Sequence, residues 1–161
     1  MNLRYKVLFV CLGNICRSPS AEGIFKKKII NNNLSKYISV DSAGISSFHR
    51  GEKADKRMME YATKRGYNLT SISRPVTYYD IEEFDMIIGM DDENIYSLEN
   101  MLRSEEDRKK IYKMTSFCRK ENYDMVPDPY YGGEQGFVKV IDILEDACDG
   151  LIEVIKKKFS I

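Results

Sequence analysis

The chain has no net charge: Lys plus Arg and Asp plus Glu number 25 each among its 161 residues. Such a balance generates no global field to recruit nucleic acid or an anionic membrane, so any positive potential must be local. Histidine is nearly absent, His49 being the only one, and the four cysteines (Cys11, Cys16, Cys118 and Cys148) form no C-x-x-C pair. Most zinc-site designs are thereby removed, and neither a metal nor a cofactor is expected. Long apolar runs are missing too. Residues 7–10 make a run of four that enters a polar loop, which suits a buried strand and not a signal-peptide core or membrane span. A reducing, cytoplasmic location is the default expectation. There is no internal repeat or low-complexity tract, and the length suits one hydrophobic core without disulfides, so residues 1–161 are expected to form a single domain.

What is present is an alternation of short apolar runs with helical patterns. After the run at 7–10, Ser18-Pro19 followed by Ala21, Glu22, Ile24 and Phe25 predicts a capped helix with proline in its first turn. Residues 37–40 predict a second strand, ending in Asp41-Ser42-Ala43-Gly44, and residues 54–64 a helix stopped by Gly66. A third strand is expected at 84–89, closed by Met90-Asp91-Asp92, with a helix from about Glu93 and a short fourth strand at 111–114. Between 134 and 159, Phe137, Val140, Ile141, Leu144, Ala147, Cys148, Leu151, Ile152 and Ile155 share one helical face, which predicts a long closing helix. Strands alternating with helices imply an α/β fold, a parallel four-stranded sheet with helices on both faces and ligands at the carboxyl ends of its strands.

The segment Cys11-Leu12-Gly13-Asn14-Ile15-Cys16-Arg17-Ser18 leaves the first strand and enters the first helix, and it separates a cysteine from an arginine by six positions. If that loop curls around one centre, its backbone N–H groups, the helix N-terminus and the Arg17 guanidinium converge on a tetrahedral dianion with the Cys11 sulfur beneath it. The same positive surroundings favour the Cys11 thiolate. Read alone, Cys11 is a small buried hydrophobe at a strand end, Ser18 an N-cap and Asp128-Pro129 a turn. Their joint occurrence reverses that reading.

Val10-Cys11-Leu12-Gly13-Asn14-Ile15-Cys16-Arg17-Ser18-Pro19 resembles the phosphate loop of the low-molecular-weight protein tyrosine phosphatases. Asp41-Ser42-Ala43-Gly44, Phe84-Asp85 with Met90-Asp91, and the general-acid loop Asp128-Pro129-Tyr130-Tyr131-Gly132 extend the likeness over nearly the whole chain. The resemblance implies a flavodoxin-like single domain and hydrolysis of phosphotyrosine and small aryl phosphates through phosphocysteine, with inorganic phosphate as product, acid phosphatase activity and no metal. It makes Cys11 the nucleophile, Arg17 the phosphate clamp and Asp128 the acid, hence a mildly acidic optimum. Leu12, Gly13 and Ile15 are assigned backbone donors, Ser18 a hydrogen bond to the Cys11 sulfur, Asn14 a structural role and Ser42 a place in its support. Cys16 is assigned a reversible disulfide with Cys11, Phe48 and Tyr131 the walls around the substrate ring, and Tyr130 and Tyr131 are candidate phosphorylation sites. The partners implied are phosphotyrosine proteins, bound by a monomer.

Two segments depart from the family pattern. Where relatives carry His-x-Ala-Arg-Gln to brace the phosphate loop, this chain has Ser71-Ile72-Ser73-Arg74-Pro75, which leaves Ser71 as the candidate brace. The variable loop has Phe48-His49 where tryptophan or tyrosine is common, and His49 is read as a loop residue. Two other functions compete. An arsenate reductase on this fold needs further cysteines after the third strand, and residues 89–98 contain none. A phosphate-sensing module would not need Asp128.

Overall fold

The computed structural model describes residues 4–131 and 133–161, the side chain of Tyr131 excepted. Strand β1 (Tyr5–Cys11) forms the centre of the sheet. It pairs in parallel with β2 (Ile38–Gly44) on one side and β3 (Met86–Gly89) on the other, and β3 pairs in parallel with β4 (Ile111–Lys113). The order β2-β1-β3-β4 changes direction at β1, so the crevice for a ligand opens where β1 ends. Cys11 is that last residue.

The run at 7–10 shows no polar alternation because both faces of β1 are covered. Val7, Phe9 and Cys11 face the larger core with α1 (Arg17–Asn31), α2 (Lys56–Lys64) and α6 (Glu134–Phe159). Leu8 and Val10 face a smaller one with Ala43, Ile81, Phe84, Ile87 and Leu98, supplied in part by α3 (Tyr78–Glu83) and α4 (Asp92–Glu99). The nine apolar residues expected on one face of α6 are all buried. That helix packs on α1, α2 and the 3₁₀ turn Met114–Phe117. At Gly150 it approaches so closely that a Cβ would stand 1.7 Å from the Phe117 carbonyl oxygen.

Beyond that turn, the buried Asp146 of α6 accepts from the backbone N–H groups of Arg119, Lys120 and Glu121. Burial opposes its ionisation, but the three donors outweigh burial and hold the carboxyl below its ordinary range. The chain returning toward Asp128 is thereby fastened to the core. Strands β1 and β2 run past their expected bounds, β3 starts two residues later than expected and β4 ends one residue earlier, and α3 and the one-turn α5 (Glu105–Arg108) were not foreseen. Helix α3 is set by Asp80, whose carboxylate accepts from the Thr77 N–H at 2.8 Å. Among the described residues no helix is long and apolar enough to cross a membrane.

Candidate active site

Residues 11–17 curl around a cavity of about 510 Å³. The carbonyl oxygens of Cys11, Leu12 and Ile15 accept from the N–H groups of Ile45, Ser46 and Asp55 at 2.9, 2.8 and 2.7 Å. Those of Gly13 and Cys16 accept from the Ser73 and Ser20 hydroxyls at 3.0 and 2.6 Å. In a trans peptide the next N–H points opposite to the carbonyl, so these outward anchors turn the N–H groups of Leu12, Gly13, Asn14, Cys16 and Arg17 toward the loop's centre. The Asn14 N–H reaches the Cys11 sulfur at 3.3 Å. Gly44 permits the loop to lie on β2, since a Cβ there would stand 3.1 Å from the Leu12 oxygen and 3.2 Å from the Asn14 nitrogen.

Asn14 holds the left-handed backbone (φ 56°) that this curl demands. Its amide donates to the hydroxyls of Ser18 (2.8 Å) and Ser42 (3.0 Å), while its carbonyl oxygen accepts from the Arg74 N–H at 3.1 Å. These donations occupy one acceptor position on each hydroxyl. Ser42 donates to the buried Glu22 carboxylate at 2.6 Å. The Ser18 hydroxyl lies 3.1 Å from the Cys11 sulfur, with the Ala43 carbonyl a longer alternative at 3.4 Å. Once Cys11 has lost its proton, only the hydroxyl can donate across that contact. Ser18 therefore has more to do than start a helix, the N-cap of α1 being Cys16.

The bracing expectation is corrected. Ser71 Oγ is buried without a hydrogen-bond partner. Ser73 and Arg74 hold the loop, and Arg74 is itself fixed by Asp80 and Asp41 at 3.0 Å each. Ser71 stops short of the loop, whereas the backbone bond from Gly44 to Arg74 lays the next residues alongside it.

Arg17 is buried, and one nitrogen donates to Asp91 at 2.6 Å and to the Val126 carbonyl at 3.1 Å. A second nitrogen lies 3.6 Å from Asp128. Burial alone would lower its affinity for the proton, but Cys11, Asp91 and Asp128 outweigh that and raise it above the ordinary arginine value. Asp91 was missed by the sequence reading. As the N-cap of α4, accepting from Asn94 N–H at 2.8 Å, it carries the signature of an ordinary cap, and its other oxygen orients Arg17.

Asp128 lines the same cavity as Cys11, one oxygen accepting from the Tyr130 N–H at 3.0 Å. Leu12, Gly13, Ile15, Cys16 and Arg17 line it as well, with Ser46, Phe48, His49 and Tyr130. Phe48 is 81% exposed, projecting at the mouth. His49 is drawn in beside it, ring edge to ring face (4.9 Å), with Nδ1 2.8 Å from Glu52, so the loop histidine is part of the pocket after all. The Tyr131 side chain lies outside the described residues, and Tyr130 supplies the aromatic side of the acid loop. Burial first, then Asp55, Cys11 and Asp128, pushes the Cys16 thiol far up. Among the described residues no group of His, Cys, Asp and Glu side chains is placed to hold a metal ion.

Residues 6–160 match the family model described as low molecular weight phosphotyrosine protein phosphatase. The chain is 43% identical over 153 residues to a Synechocystis protein whose name places it among the low molecular weight protein-tyrosine-phosphatases, covering 95% of this chain and 98% of the relative. A crystal structure of a protein tyrosine phosphatase from Entamoeba histolytica, with Hepes in its active site, superposes with a TM-score of 0.91 at 51% identity, covering 97% and 98% of the two chains. A drosophila arginine phosphatase superposes at 0.86 with 33% identity, covering 94% and 98%.

Proposed function

The chain belongs to the low molecular weight phosphotyrosine protein phosphatases, and on that footing we propose that it hydrolyses phosphotyrosine and small aryl phosphates through a phosphocysteine. The observation that carries the reading is the meeting of Cys11, Arg17 and Asp128 on one cavity from positions more than a hundred residues apart. The Cys11 thiolate attacks phosphorus in line. Arg17 and the inward N–H groups bind the equatorial oxygens as charge shifts onto them. The P–O bond breaks with its electron pair on the aryl oxygen, which takes the Asp128 proton and departs as a phenol. In the second half the Asp128 carboxylate takes a proton from water as that water attacks phosphorus. The Cys11 thiolate then leaves, stabilised by Ser18, and inorganic phosphate is released.

Phe48, His49 and Tyr130 surround the entrance with rings, where stacking on an aryl group contributes roughly 0.5–1.5 kcal/mol beyond burial. This favours an aromatic ester over phosphoarginine. The test is p-nitrophenyl phosphate, phosphotyrosine peptide and phosphoarginine offered to the enzyme with EDTA present. We expect turnover of the first two and a lower kcat/KM for the third. An enzyme inactive on both aryl esters would end this reading, and a preference for phosphoarginine would transfer it to the other substrate class.

Cys16 supports reversible protection of the nucleophile. Peroxide oxidises the Cys11 thiolate to a sulfenic acid and is itself reduced to water; the Cys16 sulfur then displaces hydroxide to close a disulfide, which added dithiothreitol reopens. The attacking form is the Cys16 thiolate. Because its thiol is held far above the ordinary value, that form is scarce at neutral pH and grows as pH rises. After brief peroxide treatment, the fraction of activity recovered with dithiothreitol is expected to rise from pH 6 to pH 9, and Cys16→Ser to recover little at either. Equal recovery by Cys16→Ser and the unaltered enzyme would exclude the role.

A further inference from the structure

We infer that Arg57, in the first turn of α2, positions the general acid by fastening the acid loop to the helix that also holds the phosphate loop. The inference rests on the proposed roles of Cys11 and Asp128. Arg57 donates to the Tyr130 carbonyl oxygen at 3.3 Å, and the N–H of that same Tyr130 holds the Asp128 carboxylate at 3.0 Å. One residue thus links the guanidinium to the acid. The guanidinium carbon sits 5.8 Å from the Tyr130 ring centroid and 4.8 Å from that of Phe137. Phe137 is buried on α6 and stacks on Tyr61 of α2 at 5.6 Å and 10°, so the platform beneath the guanidinium is part of the rigid core.

The neighbouring Asp55 completes the frame. Its N–H donates to the Ile15 carbonyl at 2.7 Å, and its carboxylate caps α2 by accepting from the N–H groups of Arg57 and Met58. The pairing of that carboxylate with the Arg57 guanidinium is long, 3.5 Å, and half of the arginine side chain is exposed. An ion pair of this kind contributes little by itself. The consequence of the arrangement is geometric: Asp55 ties one helix turn to the nucleophile's loop, and Arg57 ties the same turn to the acid's loop. Arg57 touches no reacting atom. It sets the distance between the Asp128 proton and the aryl oxygen, where small misplacements are costly.

The experiment measures kcat/KM for aryl phosphates graded by leaving-group acidity. For Arg57→Ala we expect a loss of roughly tenfold on phenyl phosphate and under about threefold on 2,4-dinitrophenyl phosphate, the scale of one charge-assisted hydrogen bond. Inhibition by inorganic phosphate should stay unchanged, Arg57→Lys should recover part of the loss, and Arg57→Ala should add nothing in an Asp128→Ala background. If Arg57→Ala fails to fold, Arg57→Lys, which keeps the charge and loses the planar fork, carries the same leaving-group test. A uniform loss across the series, or an undiminished further loss beside Asp128→Ala, would overturn the latch. Where Asp128→Ala steepens the leaving-group dependence and neither Arg57 variant does, the latch falls and the acid stands. A flat dependence in Asp128→Ala removes both.

Discussion

Cys11→Ser is expected to abolish aryl phosphate turnover, by at least about 10⁴-fold in kcat, while inorganic phosphate still binds. The cradle is backbone N–H groups and Arg17, none of which the substitution touches, so the anion site survives. What disappears is the sulfur nucleophile. A serine hydroxyl gains too little from the Ser18 proton and the Asn14 N–H, placed at 3.1 and 3.3 Å from the sulfur, to become an alkoxide. Competition between phosphate and vanadate followed by calorimetry, beside a turnover assay, separates binding from chemistry. Residual turnover within tenfold of the unaltered enzyme would show that another group attacks phosphorus.

Asp128→Ala is expected to cost on the order of 10²–10⁴ in kcat/KM on phenyl phosphate and little on 2,4-dinitrophenyl phosphate, whose phenolate departs without a proton. The first step needs a proton on Asp128 for the departing aryl oxygen, and a good leaving group can do without it. Removing the carboxyl should therefore steepen the dependence of kcat/KM on leaving-group acidity. If the loss is equal on both esters, the proton comes from elsewhere.

The centre of the fold was legible because parallel strands buried on both faces must be continuously apolar, as residues 7–10 and the middle of β3 are. The edges were less so. In β2, Ser39, Asp41 and Ser42 have poor strand character, and the strand reaches Gly44 only because each residue finds its partner on β1, up to Cys11 beside Gly44. Helix α3 was hidden because Tyr78 and Tyr79 carry no helical signal of their own and the element is started by Asp80. In the site, the phosphate loop was readable as one contiguous segment, and Asp128 through its resemblance to an acid loop. Asp91 and Arg57 were not readable, since the first reads as an ordinary helix cap and the second as a solvated charge on a helix, and the telling contact of each is made across the fold. Ser71 was chosen by matching position, whereas the loop is held by the next polar residues, Ser73 and Arg74. His49 was undervalued because its local contacts, Phe48 and Glu52, do not reveal that the loop lies over the phosphate site.

The outward anchoring of the loop's carbonyl groups bears on inhibitor selectivity. Apart from Cys11 and Arg17 the floor of the pocket is main chain, which no side-chain exchange can recolour, so a compound that grips it with an oxyanion mimic will grip any enzyme sharing that trace. Discrimination has to be built at the rim, where Phe48, His49 and Tyr130 offer rings that such an enzyme need not present.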